Sequence, residues 1–211
     1  IRTPLSLVQG NAAQLESSQE LPAQARHKAR VIREQSQRIG RLVSDLNLAS
    51  KLEYELQPLH IAPFRPAAML RAAAAEVLNH AAGERVSVEM DIAPEAGVMS
   101  ANGDEALLRR AVDNLLRNSV RHNPGQIQLS LRLSVSEQQW CMTVQDNGSG
   151  LPEDVLQRLR RPQENALPSH GLGLVLVQQI VRAHGGTVCF ENTQPGLKVT
   201  LSFPRLAGEN G

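Results

Sequence analysis

Three short stretches carry residues whose types and spacing could do chemistry. In "DNLLRNSVRHNPG", Asn114, Asn118 and Arg121 recur at i, i+4 and i+7, so a helix would present them on one face. Two carboxamides and a guanidinium in a row can hold a metal and phosphates. An amide oxygen is a hard ligand for Mg²⁺, which usually binds through few protein ligands plus phosphate oxygens. The same three residues also suit an ordinary solvated helix face. In "VQDNGSGLP" an apolar strand ends at Asp146, with Gly148 and Gly150 just beyond. A carboxylate fixed at a strand end can accept a hydrogen bond from an exocyclic amine such as that of adenine. The two glycines let the backbone approach a flat ring or turn sharply. Asp-Asn-Gly is equally good hairpin-turn chemistry. In "SHGLGLVLVQQIV", Gly171 and Gly173 open a helix, where free N–H groups attract phosphate. A close-packed joint between loop and helix uses glycine in the same way.

These residues need a frame, and the chain has two halves of different period. Ile1, Leu5, Val8, Ala12 and Leu15 fall on one helical stripe. "SSQELPAQ" interrupts it, since Pro22 cannot continue a helix interior. Ile32, Ile39 and Leu46 then recur every seven residues, with Leu42, Ala49 and Leu56 interleaved, which is heptad patterning. Two such helices joined by a short turn make an antiparallel hairpin. A lone hairpin cannot bury both apolar faces, so pairing of two into a four-helix bundle is expected, and with it a homodimer. A hairpin packed on its own second domain is the alternative. Pro4 weakens the helix just before the chain begins.

"LQPLHIAPFRP" breaks the heptad with Pro58, Pro63 and Pro66. It predicts a helical hairpin over 1–57 and a second domain over 58–211, whose first strand lies around Leu59 to Phe64. Beyond it, helical segments ("PAAMLRAAAAEVLNHA", "GDEALLRRAVDNLLRNSVRH", "GLGLVLVQQIVRAHGG") are mixed with alternating ones ("ERVSVEMDI", "QIQLSLRLSV", "QWCMTVQD", "TVCFEN", "LKVTLSFP"). Asp104 is the expected N-cap of the second helix, and glycines are expected to stop the third. The expected class is α+β: a helical hairpin followed by a two-layer α/β sandwich, one mixed sheet covered on one face by helices.

Composition excludes several functions. A formal net charge of +1 gives no bulk basic field toward nucleic acid or anionic membrane. With 2% aromatic residues there is no stacking platform for single strands. No apolar run approaches the roughly 20 residues needed to span a bilayer. Cys141 and Cys189 sit in strand-like segments, so a reducing compartment is the default and a lone disulfide the alternative.

The order and spacing of the three stretches is more demanding than any one of them. An asparagine helix, then DxGxG, then a short segment, then GLGL opening a helix resembles the nucleotide-binding domain of two-component sensor histidine kinases. That ATP-binding fold, of Bergerat or GHKL type, is shared with heat-shock chaperone, gyrase and mismatch-repair ATPases. The opening "RTPL" resembles the tail of the histidine box of the same kinases, so the likeness covers nearly the whole chain in the family's order. By this resemblance, Asn118 would be the Mg²⁺ ligand and Asn114 its polar neighbour. Arg121 stands where the family often has lysine, facing phosphate, and His122 replaces a common tyrosine. Asp146 would read the adenine amine, with Gly148 and Gly150 shaping the base pocket. Gly171, Leu172, Gly173 and Leu174 would run beside the phosphates. The segment from Leu151 to His170 would be a lid, from which Arg158, Arg160 or Arg161 could reach the γ-phosphate, Arg161 being the one assigned to ATP.

ATP-hydrolysing relatives carry a glutamate at the position of Asn114, as the base that activates water. Asparagine cannot take a proton at neutral pH, which favours phosphoryl transfer to a protein over hydrolysis. The family's pattern places the reactive histidine and an acidic neighbour just upstream of Ile1; Thr3 then has the spacing of a residue that positions water for dephosphorylating the partner. Two features depart from the family: the lid lacks its phenylalanine-containing box, and Ser169 stands where a first glycine usually precedes GLGL. The expected protein is the cytoplasmic core of an inner-membrane sensor, binding ATP and Mg²⁺, relaying phosphate through a histidine to the aspartate of a response regulator. A nucleotide-free docking module and a GHKL-type ATPase are the competing readings.

Overall fold

The N-terminal heptads fold as two helices in the computed structural model, which describes residues 2–80, 85–123, 125–160 and 172–205. Contacts divide the chain into two compact units, Ile1–Leu48 and Ala49–Gly211. In the first unit, helix α1 (Arg2–Ser17) runs to the break before Pro22, and α2 (Ala23–Glu53) starts directly after it. Pro22 lends its carbonyl to the N–H groups of Ala25 and Arg26, so the residue that stops one helix helps to start the next.

The pair is antiparallel. Glu16 near the end of α1 accepts from Arg30 at 3.0 Å and Arg33 at 2.7 Å, while Leu5 near its start lies against Gly40. The two guanidinium groups hold the Glu16 carboxyl below the ordinary glutamate range. Small residues make the close contact, with Ala12, Ala29 and Ser36 buried. The predicted α1 stripe is therefore only partly covered. Leu5 is half-buried and Ala12 buried, but Val8 and Leu15 stay exposed, as do Leu7, Val31, Ile32 and Ile39. Two helices can cover one side of each other and no more.

The long helix α2 ends in a Schellman motif. Leu56 N–H reaches back to the Lys51 carbonyl and Glu55 N–H to that of Leu52. Glu55 takes the left-handed position at φ 54° that glycine ordinarily fills.

The second unit is built on a five-stranded sheet in the order β2-β4-β5-β7-β6. Its strands are β2 (Val86–Ile92), β4 (Ile127–Val135), β5 (Gln139–Asp146), β6 (Thr187–Asn192) and β7 (Leu197–Pro204). β2 and β4 are parallel and every other neighbour pair is antiparallel, which is the expected mixed sheet. Alternation puts Leu129, Leu131 and Leu133 of β4 and Trp140, Met142 and Val144 of β5 on the buried face. Helices α3 (Pro66–His80), α5 (Glu105–His122) and α7 (Leu172–Ala183) pack their apolar sides there. On the other face Cys141 donates to Ser202 Oγ at 3.3 Å, and both cysteines are free thiols.

Three elements go beyond the sequence reading: the short helix α4 (Pro94–Val98), strand β3 (Ala101–Gly103) and helix α6 (Glu153–Arg160). β3 pairs with β1 (Ala62–Phe64) in a separate two-stranded ribbon, so the first strand is shorter than predicted and lies outside the main sheet. Phe64 fastens that ribbon to the sheet end: its ring meets Trp140 edge-on at 6.2 Å, and Trp140 stacks on Phe203 at 4.4 Å.

Candidate active site

Helix α5 carries the site, and its two ends are fixed by different chemistry. Asp104 caps the start as predicted, its Oδ1 accepting from Leu107 N–H at 3.1 Å. The same residue ties in two other segments. Its Oδ2 accepts from His60 N–H, and its own N–H donates to His184 Nε2 at 3.0 Å. At the far end Arg85 donates to the carbonyls of Val120, Asn123 and Gly125, which neutralises acceptors that the helix leaves open. The apolar stripe of α5 (Leu108, Ala111, Val112, Leu115, Leu116) grips the sheet. Rotation is thereby set, and Asn114 and Asn118 turn toward α7.

There Gly173, in the first turn of α7, faces both amides. A Cβ at Gly173 would lie 3.5 Å from Asn118 Nδ2 and 3.9 Å from Asn114 Cγ. Asn114 Nδ2 is buried and has no hydrogen-bond acceptor among the described residues. An orphaned buried donor is costly, and a phosphate oxygen or an ordered water would satisfy it. Leu172 is half-buried at this opening, while the Leu174 side chain is buried in the core; only its backbone is left for a ligand. Arg121 and His122 are exposed in the last turn of α5. Gly171 and Arg161 lie outside the described residues. Thr3 is exposed on α1, in the other unit.

Asp146 is the last inward position of β5, in the same parity as Trp140, Met142 and Val144. Alternation therefore turns a carboxylate into the helix layer, where it is 8% exposed. The groups that receive it are a hydroxyl and two backbone amides. Ser119 Oγ donates to Oδ2 at 2.7 Å, and Oδ1 accepts from Gly148 N–H at 2.9 Å and Leu197 N–H at 3.2 Å. Asn123 donates to the Ser119 carbonyl at 2.8 Å and lies so close over Gly148 that a Cβ there would be 2.0 Å from its Oδ1. Asn147 holds the turn to the β4 edge, accepting from Gln128 N–H and donating to the Gln126 carbonyl. The DxGxG stretch is thus both a turn and a rigid seat for one carboxylate.

Ser119, Asn123 and Leu197 were not among the expected site residues. The available signal was a hydroxyl on an apolar helical stripe, since Ser119 follows Leu115 by one turn and is itself buried. The expected lid also begins differently. Asn192 clamps Leu151 by two bonds of 2.8 Å, to its N–H and its carbonyl, and Gly150 takes φ 75° beside it. Leu156 and Leu159 then bury one side of α6. Arg158 pairs with Asp154 at 2.6 Å, and Arg160 reaches the Phe190 carbonyl. The first part of the segment is thus a docked helix, because its leucines are spaced to face the sheet.

Two family models match the chain. Residues 1–55 match the His Kinase A (phospho-acceptor) domain, and residues 103–207 match the histidine kinase-, DNA gyrase B- and HSP90-like ATPase domain. A probable sensor histidine kinase of Mycobacterium tuberculosis, TcrY, is 32% identical over 97% of the chain and 43% of its own length. The chain spans less than half the length of the curated relatives it matches. Among solved structures, full-length ShkA in complex with AMPPNP superposes with a TM-score of 0.75 at 24% identity, over 98% of this chain and 44% of that one. The histidine kinase ThkA in complex with the response regulator TrrA gives 0.71 at 16% identity, over 97% of this chain and 58% of that one. At such identities the structures speak for the fold. With a phospho-acceptor domain leading into an ATPase domain of this type, and sensor kinases as relatives, the chain belongs to the sensor histidine kinases as a catalytic core of that family.

Proposed function

We propose that the second unit binds ATP with Mg²⁺ and donates the γ-phosphoryl group to a histidine on the first helix of the hairpin. The observation that carries this is the buried Asn114 Nδ2, without an acceptor among the described residues, beside Asn118 and the first turn of α7. This donor set fits a hydrated cation and phosphates: two amides from one helix face, a glycine within van der Waals reach of both, and backbone N–H groups at a helix start. When bound, magnesium ATP supplies the transferable phosphoryl group and a cation that offsets its charge. Asn118 Oδ1 would hold the cation, Asn114 would donate to oxygen, and Arg121 would add positive charge at the rim. Asp146 would accept from the exocyclic amine of the base. Asn114 offers no lone pair basic enough to deprotonate water, so the pocket favours transfer over hydrolysis. In the transfer an imidazole nitrogen bonds to phosphorus as the bridging P–O bond breaks and ADP leaves; the pocket contributes position and charge balance.

The wider reading follows the same family. The domain boundary is placed near residue 57, where α2 has ended and the prolines begin, rather than at the division of contacts after Leu48 within that helix. The exposed apolar residues of the hairpin support a homodimer through a four-helix bundle. A response-regulator aspartate would take the phosphate, and Thr3 would aid its later hydrolysis. No described helix is long and apolar enough to cross a membrane; the placement proposed is a cytoplasmic domain of an inner-membrane sensor, tethered by a segment outside this sequence. The test extends the chain upstream of Ile1 to include the expected histidine and supplies magnesium and γ-labelled ATP. The account expects acid-labile, base-stable label on the protein. Steady ADP release without label would instead support an ATPase, and neither label nor binding would support a docking module.

A further inference from the structure

We infer that Ser119 is a specificity-determining residue, one that leaves Asp146 a single free acceptor and so selects purines with an amine at the 6-position. This rests on the reading of Asp146 as the group that meets the base. A carboxylate has about four lone-pair sites. Gly148 N–H and Leu197 N–H occupy both sites on Oδ1, and Ser119 Oγ occupies one on Oδ2. One site on Oδ2 remains. The Ser119 proton has two acceptors in reach, Asp146 Oδ2 at 2.7 Å and the Leu115 carbonyl at 3.2 Å. The shorter, charge-assisted bond prevails. Ser119 is 6% exposed, and its carbonyl is held by Asn123, so its hydroxyl has little freedom to turn elsewhere.

The consequence is chemical. An adenine amine donates one hydrogen to the one open site. A 6-oxo purine brings a carbonyl to the same place, and two oxygens with lone pairs then face each other. Such a base donates only from N1–H unless it also carries a 2-amine, in which case it could bind a free carboxylate through both oxygens at once. Here Oδ1 is already filled, so that arrangement is closed. Ser119 thus acts through Asp146, fixing which lone pair points out and how many there are.

The experiment compares ADP with inosine diphosphate, which differ at the 6-position and in the proton on N1, with magnesium present. Displacement of a fluorescent ADP analogue gives Kd for the full chain and for Ser119→Ala, Ser119→Thr and Asp146→Asn, with melting curves confirming that each is folded. The expected result is that Ser119→Ala weakens ADP about tenfold and inosine diphosphate less than about twofold, so the preference narrows about tenfold, in the range of one buried hydrogen bond to a charged group. Ser119→Thr keeps the hydroxyl and restores most of the preference. If Ser119→Ala keeps the parent preference, whether both ligands weaken alike or neither does, while Asp146→Asn abolishes it, the inference about Ser119 is overturned and the reading of Asp146 stands. If Asp146→Asn also leaves the preference unchanged, the reading of Asp146 falls with it.

Discussion

Asp146 shows how much one side chain depends on others far away in sequence. Its partners come from α5, from its own turn and from the start of β7, so the carboxylate ties three elements together. The third depends on Gly196, which adopts φ 101° and passes so close that an added Cβ would lie 1.7 Å from the Asp146 carbonyl oxygen. Gly196→Ala is therefore expected to destabilise the fold by more than about 2 kcal/mol, through strain and overlap against backbone that cannot yield. Urea unfolding checks this, and a loss below about 0.5 kcal/mol would mean that the β6–β7 turn relaxes freely. At this scale the sequence offered the groups proposed to touch a ligand, because amides, a carboxylate and glycines at fixed spacing are distinctive. It hid the groups that hold them. A serine on an apolar stripe and the N–H of Leu197 look unremarkable until folding brings them to Asp146.

Elements were legible where their signals were local. β5, β6 and β7 alternate cleanly between turn residues, and α5 announces its start with Asp104. β3 was not, because three residues acquire strand geometry only by pairing with β1, distant in sequence. α6 went unread within the expected lid segment, because its charges drew attention from the spacing of Leu156 and Leu159. Two helices end in the same motif with different residues. α7 closes on Gly185 at φ 69°, with Gly186 N–H reaching Val181, whereas α2 closes on Glu55. Glu55→Gly is expected to add about 1 kcal/mol of stability, since glycine takes a left-handed conformation without the Cβ penalty; a lowered urea midpoint would contradict this. The hairpin contact has a pH dependence of known sign. Arg33 and Arg30 lower the Glu16 pKa, so the contact stabilises fully above the unfolded-state value and fades as pH falls through the lowered one. A carbon-13 titration of the Glu16 carboxyl should give a midpoint below that of the same residue in an unfolded peptide, and an equal midpoint would remove the pair from the account.

The whole molecule joins a hairpin that matches a phospho-acceptor domain to a domain that matches the histidine kinase-like ATPases, and each unit leaves something unfinished within itself. The hairpin leaves Ile32 and Ile39 about half exposed, at 50% and 49%. Burying the exposed half of such side chains against a second copy gains about 1 kcal/mol each. Ile39→Glu should therefore give a monomer in sedimentation equilibrium where the parent is a dimer; a parent that sediments as a monomer would remove the bundle from the account. The second unit leaves the Asn114 amide without an acceptor, and the central claim is that magnesium-bound ATP supplies it. Calorimetric titration of ATP into the chain tests this most directly. The account predicts one site per chain, dependent on magnesium and weakened more than about tenfold by Asn118→Ala. Absence of any binding heat or displacement for adenine nucleotides in excess magnesium, from a chain shown to be folded, would contradict it.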